Sequence, residues 1–178
     1  MAMDKIKVFD NTQSLGELIE QVNIASDVRN SINEANIVFV PSINNDNFTF
    51  PSGTNEFFQY CRTHSEYEVE ICCNDADYCE VELCSFQIRL CKIYVKDIAI
   101  GVISGLISSY IFALLTSHDA PSTLIEQDYL AKPTVSFSIV VSDTTNSICK
   151  EFKYEGPAED VKEVTDNIIN MWNESKVQ

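Results

Sequence analysis

Residues 98–115, IAIGVISGLISSYIFALL, run for 18 positions without a charged side chain. As a helix this segment would extend roughly 27 Å, just short of a ~30 Å hydrocarbon core. Two environments accommodate such a helix: a bilayer, or the interior of a folded protein or oligomer. Insertion energetics do not separate them. Its ten Ile, Leu, Val and Phe residues contribute roughly −3 to −6 kcal/mol on a translocon scale, and its two glycines and three serines reduce that gain.

The pattern is more informative than the length. Gly101, Gly105 and Ser109 recur at i, i+4 and i+8, with Ser104 and Ser108 beside them. Small residues at this spacing let two helix backbones approach closely, so these five are the candidate helix–helix interface. Ile100, Ile103, Ile107, Ile111 and Leu114 make the bulky opposite side. Glycine inside a water-exposed helix costs about 1 kcal/mol relative to alanine, so a packing partner is expected to favour it. If the segment spans a membrane, Arg89, Lys92 and Lys96 ahead of it hold the N-terminal part in the cytoplasm.

The 178 residues suffice for one domain with its own core. They carry 27 Asp and Glu against 12 Lys and Arg, a net charge of −15. This balance argues against a general nucleic-acid binder and against a basic membrane-surface patch. The opening Met1-Ala2-Met3-Asp4-Lys5-Ile6-Lys7 has no apolar run behind its charges, unlike a secretory signal. Seven cysteines, six of them within residues 61–91, make a poor disulfide framework, and reduced thiols in the cytoplasm are expected. Their spacing offers no C-x2-C pair, and the histidines are His64 and His118, so no metal site or cofactor is expected. The adjacent Cys72-Cys73 pair leaves redox sensing open.

Along the chain, residues 13–34 have a helical apolar spacing, opened by the capping-box pair Ser14 and Glu17. Ile37-Val38-Phe39-Val40-Pro41 is a short buried strand stopped by proline. Residues 42–54 read as a loop, and Thr54 starts a short helix through Phe57, Phe58 and Tyr60. Tyr67, Val69 and Ile71 alternate with Glu66, Glu68 and Glu70, and Val81 and Leu83 alternate with Glu80 and Glu82, predicting two strands or hairpin arms. Residues 85–97 fit either a strand or the start of the next helix. Residues 117–132 are a polar connection. Residues 135–141 form a strand that turns through residues 142–146 into a partner at residues 148–154. Gly156-Pro157 breaks that strand, and Val161, Val164, Ile168, Ile169 and Trp172 stripe a final helix.

The expected fold is α+β or α/β: a mixed sheet of four to five strands covered by helices, one of them very apolar. Its parts are an N-terminal α/β part at 1–97, the apolar helix at 98–116, and a C-terminal ββα unit at 117–178 packed on the same sheet.

No arrangement of residues announces catalysis. The five glycines do not form a phosphate-cradling motif, and neither histidine stands in a nucleophile pattern. Residues 66–82 hold seven acids and no base. They fit a solvated sheet face, a surface for a basic partner (Glu66, Glu68, Glu70, Glu80 and Glu82), or a hard-cation site, although no EF-hand spacing is present.

Four stretches together carry a resemblance: Ile37-Val38-Phe39-Val40-Pro41, Phe50-Pro51-x-Gly53-Thr54, Leu106-Ile107-Ser108-Ser109-Tyr110-Ile111, and Tyr154-Glu155-Gly156-x-Ala158-Glu159-Asp160. They resemble small bacterial accessory or membrane-effector proteins of anti-phage defence systems, the Hailong-like effectors. None of the four is catalytic. The resemblance implies a non-enzymatic effector that self-associates and inserts into or disrupts the inner membrane, controlled by a partner nucleotidyltransferase or sensor protein. Two readings from the residues stand beside it. One is a soluble oligomeric regulatory subunit with an acidic partner-binding face; the other is an inhibitor whose acids mimic nucleic-acid phosphates.

Overall fold

The computed structural model describes residues 2–10, 12–82, 87–117 and 132–177. The elements run β1 (Ile6–Phe9), α1 (Leu15–Val22), α2 (Ser26–Glu34), β2 (Ile37–Val40), β3 (Ser42–Asn44), β4 (Asn47–Pro51) and α3 (Thr54–His64). They continue with β5 (Val69–Ile71), β6 (Glu80–Val81), β7 (Gln87–Lys96), α4 (Ile100–Thr116), β8 (Thr134–Asp143), β9 (Ile148–Pro157) and α5 (Val161–Ser175). Six strands form one mixed sheet in the order β1-β9-β8-β7-β2-β5, and β3, β4 and β6 form a smaller one. The class is the α+β fold expected, with more strands than the four to five read from the sequence.

Strand alternation divides the large sheet's side chains between two cores. Phe39, Ile93, Val95, Ile139 and Val141 point to one face, where Phe57 of α3, Ile103 and Ile107 of α4, and Val164, Ile168 and Trp172 of α5 cover them. Val38, Val40, Tyr94 and Val140 point the other way, against Leu18, Ile19 and Val22 of α1 and Ile32 of α2. Strand β7 pairs antiparallel with β2 and parallel with β8. A parallel pair requires a crossover connection, and α4 lies in the one between β7 and β8. The charge-free segment is therefore a helix laid across a sheet, roofed along one flank by α5.

Several local expectations change for identifiable reasons. The stretch 13–34 is two helices, because Asn23 adopts φ 55, ψ 51 and its amide bonds back to Glu20 and Ile19. A left-handed residue of this kind ends a helix. The capping box at Ser14 and Glu17 forms with both hydrogen bonds. Within residues 42–54, β3 and β4 make a hairpin through Asn45 and Asp46, both at positive φ. Two left-handed residues match the twist of the flanking strands. Residues 87–96 are strand. Strand β9 continues through Pro157, so Gly156 is not a breaker. A Cβ at Gly156 would lie 2.6 Å from Tyr154 Oη, so glycine there is what lets the tyrosine fold back to donate to the Pro157 carbonyl at 2.9 Å. The N-terminal segment, whose sequence shows no strand pattern, supplies β1, an edge strand antiparallel to β9.

Candidate functional site: the outward face of the apolar helix

Two neighbours set the position of α4. At its start, the Asp97 carboxylate accepts hydrogen bonds from Trp172 Nε1 and from Lys176 Nζ, which ties the beginning of α4 to the end of α5. Along its length, Ser108 and Thr165 share a hydroxyl hydrogen bond of 2.8 Å between α4 and α5. Tyr110 packs its ring against Phe57 and Tyr60 of α3, with centroids 4.7 and 5.3 Å away.

Between these contacts the bulky side of α4 turns inward. Ile103 and Ile107 are fully buried, and Ile100, Leu106 and Ile111 nearly so. The five small residues do not act as one stripe. Ser104 is buried, and its hydroxyl finds no partner among the described residues. Ser108 is the residue bonded to α5. Gly101, Gly105 and Ser109 face outward. A Cβ built on Gly101 or Gly105 meets nothing within 4 Å, so neither glycine is required by packing inside the chain. Around them stand Ile98 at 64% exposure, Phe112 at 68% and Leu115 at 39%. The outward face is thus an uncharged strip of small and large, mostly apolar groups. Within Asp97–Thr116 an 18-residue window has a mean hydropathy of 2.2, and 39% of that window is buried.

The acidic residues also separate. Glu66 and Glu68 are exposed and Glu70 is half-buried, on or beside edge strand β5. Glu80 and Glu82 lie on or next to β6, in the other sheet. Glu80 is already engaged, accepting from the backbone amides of Gly53 and Asn55 at 3.1 and 2.8 Å and from the Tyr78 hydroxyl at 2.6 Å. Burial alone would raise its pKa, but these three donors outweigh that effect and hold the carboxyl below its usual value. It caps α3, whose own N-cap position is occupied by Gly53 at φ 86. Glu82 is exposed.

Among the described residues Cys61, Cys72, Cys73 and Cys91 are buried, whereas Cys79 is exposed and Cys149 half-buried. His64 is exposed, with Nδ1 2.8 Å from the Tyr60 carbonyl and its ring stacked on Tyr60; His118 lies outside the described residues. Burial pushes the Cys61 and Cys72 thiols up to about 12, the latter aided by Cys73. Burial, with Asp77 and Asp75 nearby, pushes Cys73 to about 11. A thiol so shifted is protonated at neutral pH and is a poor nucleophile. Among the described residues no group of three His, Cys, Asp or Glu side chains could hold a metal ion.

One grouping escaped the sequence reading. Lys7, Lys92 and Lys153, far apart in the chain, come together across four strands on the half of the sheet that α1 and α2 leave open. Residue spacing gives no sign of them, because strand register alone makes them neighbours. No family model, curated protein or solved structure matches this chain.

Proposed function

We propose that the chain is a non-enzymatic interaction subunit that self-associates by packing the outward face of α4 against the same face of a second copy. The observation that carries this reading is the pair Gly101 and Gly105, exposed on a helix, with open space where their Cβ atoms would be. Gly105, inside the helix, costs about 1 kcal/mol relative to alanine, and the chain's own packing requires neither glycine. A second helix drawn close over them does. Ile98 and Phe112, at 64% and 68% exposure, supply the apolar area that such a contact would remove from water. Because residues 98–115 carry no charge, two copies meeting here avoid the repulsion that a net charge of −15 imposes elsewhere. Assembly through this face is also the step that a sensor or nucleotidyltransferase partner would control, if the chain serves anti-phage defence as its resemblance implies.

The test is light scattering with sedimentation in detergent-free buffer. Wild type should form a defined oligomer, and Gly105→Leu should be monomeric with an unchanged circular dichroism spectrum. A monomeric wild type at high micromolar concentration overturns the proposal.

A second reading, conditional insertion of α4 into a bilayer, draws on the hydropathy of Asp97–Thr116. It requires Ile103 and Ile107 to leave a core in which they are fully buried. Co-sedimentation of wild type with anionic vesicles, together with loss of the native fluorescence of Trp172, would favour it over self-association.

A further inference from the structure

We propose that the open half of the central sheet binds a compact polyphosphate, a ligand of the di- or triphosphate class, independently of the α4 reading. Strand register builds the site. Lys7 of β1 lies opposite Lys153 of β9, Lys153 opposite Ser138 of β8, and Ser138 opposite Lys92 of β7. Direct cross-strand partners point to the same face, so these four side chains form one row perpendicular to the strands. With neighbouring strands ~4.8 Å apart, the row is roughly 14 Å long. It crosses a groove of about 700 Å³ that Lys5 and Ser136 also line.

The arrangement of charge within the groove is unusual for this chain. Glu151 is 5% exposed, and both of its carboxylate oxygens are engaged. It accepts from Ser138 at 2.7 Å and Thr12 at 3.0 Å, and it pairs with Lys92 at 3.0 Å and Lys153 at 3.4 Å. One buried negative charge is therefore divided between two ammonium groups of the groove's lining. Lys7 forms no ion pair among the described residues, although it stands opposite another lysine. Like charges in that position destabilise a sheet. In a chain with 27 acids to 12 bases, an unneutralised lysine facing a half-neutralised one points to an anion from outside.

The form of the site selects among anions. Two ammonium groups gathered at one Glu151 oxygen, with Lys7 beyond them across the next strand, suit two or more linked phosphates better than one tetrahedral ion, and lysine binds phosphate as a point charge without bidentate geometry. The row is also short. Asp4 and Glu155 line the same groove, and Lys5 is held by Asp160 at 3.0 Å. These carboxylates interrupt the positive strip, and the net charge of −15 repels a long nucleic acid. A compact ligand is what remains.

Isothermal titration of the full chain with inorganic triphosphate tests the proposal. Saturable one-to-one binding is expected, weakened about tenfold by Lys7→Gln and by Lys153→Gln, a loss equivalent to about 1.4 kcal/mol. Lys162→Gln, an exposed position on α5, should bind as wild type does. Lys7→Gln breaks no ion pair of the described fold and removes a like charge opposite Lys153; a thermal midpoint at or above that of wild type confirms that its effect is not a folding artefact. Three outcomes overturn the proposal: triphosphate binding no tighter than sulfate at equal ionic strength, Lys7→Gln binding like wild type, or Lys162→Gln losing as much as Lys7→Gln.

Discussion

The inward and outward faces of α4 share one helix and one absence of charge, yet they answer to different demands. Inward, Ile103, Ile107 and Ile111 have close to no exposure and fill the space between the sheet, α3 and α5. Outward, Gly101, Gly105 and Ser109 face away from the core between Ile98 and Phe112. The first set is explained by the fold, which needs a branched apolar wall over a sheet whose strands are themselves apolar on that side. The second set is not. Gly53 and Gly156 show what a glycine required by its own chain looks like: one sits at φ 86, and the other would bring a Cβ to 2.6 Å from Tyr154 Oη. Gly101 and Gly105 have neither reason. A run of charge-free residues can thus carry two messages, one about the core and one about a surface, and hydropathy averages them.

The sharpest way to break this comparison is to truncate one side chain from each face. Ile107→Ala removes a fully buried side chain from a packed interior and should destabilise the fold by about 2–5 kcal/mol. Phe112→Ala, at 68% exposure, should change stability by no more than about 0.5 kcal/mol. Urea midpoints at constant m-value measure both. Comparable losses at the two positions would mean that the faces are not distinct.

The glycines sharpen it with an effect of opposite sign. Gly105→Ala adds a methyl group into open space and removes backbone entropy from the unfolded chain. At concentrations low enough to keep the protein monomeric, it should stabilise the fold by up to about 1 kcal/mol, seen as a higher urea midpoint. A lower midpoint would show that the chain itself needs the glycine.

How much of this was legible in the sequence follows from range. Period-two alternation in residues 135–141 and the polar turn after them gave β8 and β9, because a hairpin is a local object. Ser14 and Glu17 gave the start of α1 for the same reason. Asn23 and the Asn45-Asp46 pair stand out less, because left-handed residues other than glycine leave a weaker mark than glycine does. Strand β1, four residues long, becomes a strand only through β9, more than 140 positions away in its pairing. In the candidate site, the bulky and small sides of α4 were visible as helical spacing. That Ser104 and Ser108 turn inward while Gly101 and Gly105 stay outside depends on where α5 docks. The lysine row, built from four strand registers, was beyond reach of any local pattern.

The smallest effect concerns how α3, which braces the flank of α4 through Phe57 and Tyr60 against Tyr110, is anchored at its start. Gly53 supplies no side-chain cap there, so the Glu80 carboxylate from β6 satisfies the amides of Gly53 and Asn55. Its folded pKa lies below the unfolded value. The stabilisation is therefore complete above the unfolded carboxyl pKa of about 4.3 and disappears as pH falls through the lower folded value. The site is partly open to solvent, so the contribution should be about 1 kcal/mol or less. Urea midpoints at pH 7 and pH 3.5 should differ less in Glu80→Gln than in wild type, with most of the change at pH 7. An identical acid loss in the two proteins would assign that loss to other carboxylates, of which the buried Glu151, also held below its ordinary pKa against the effect of burial by Ser138, Lys92 and Thr12, is the next to test.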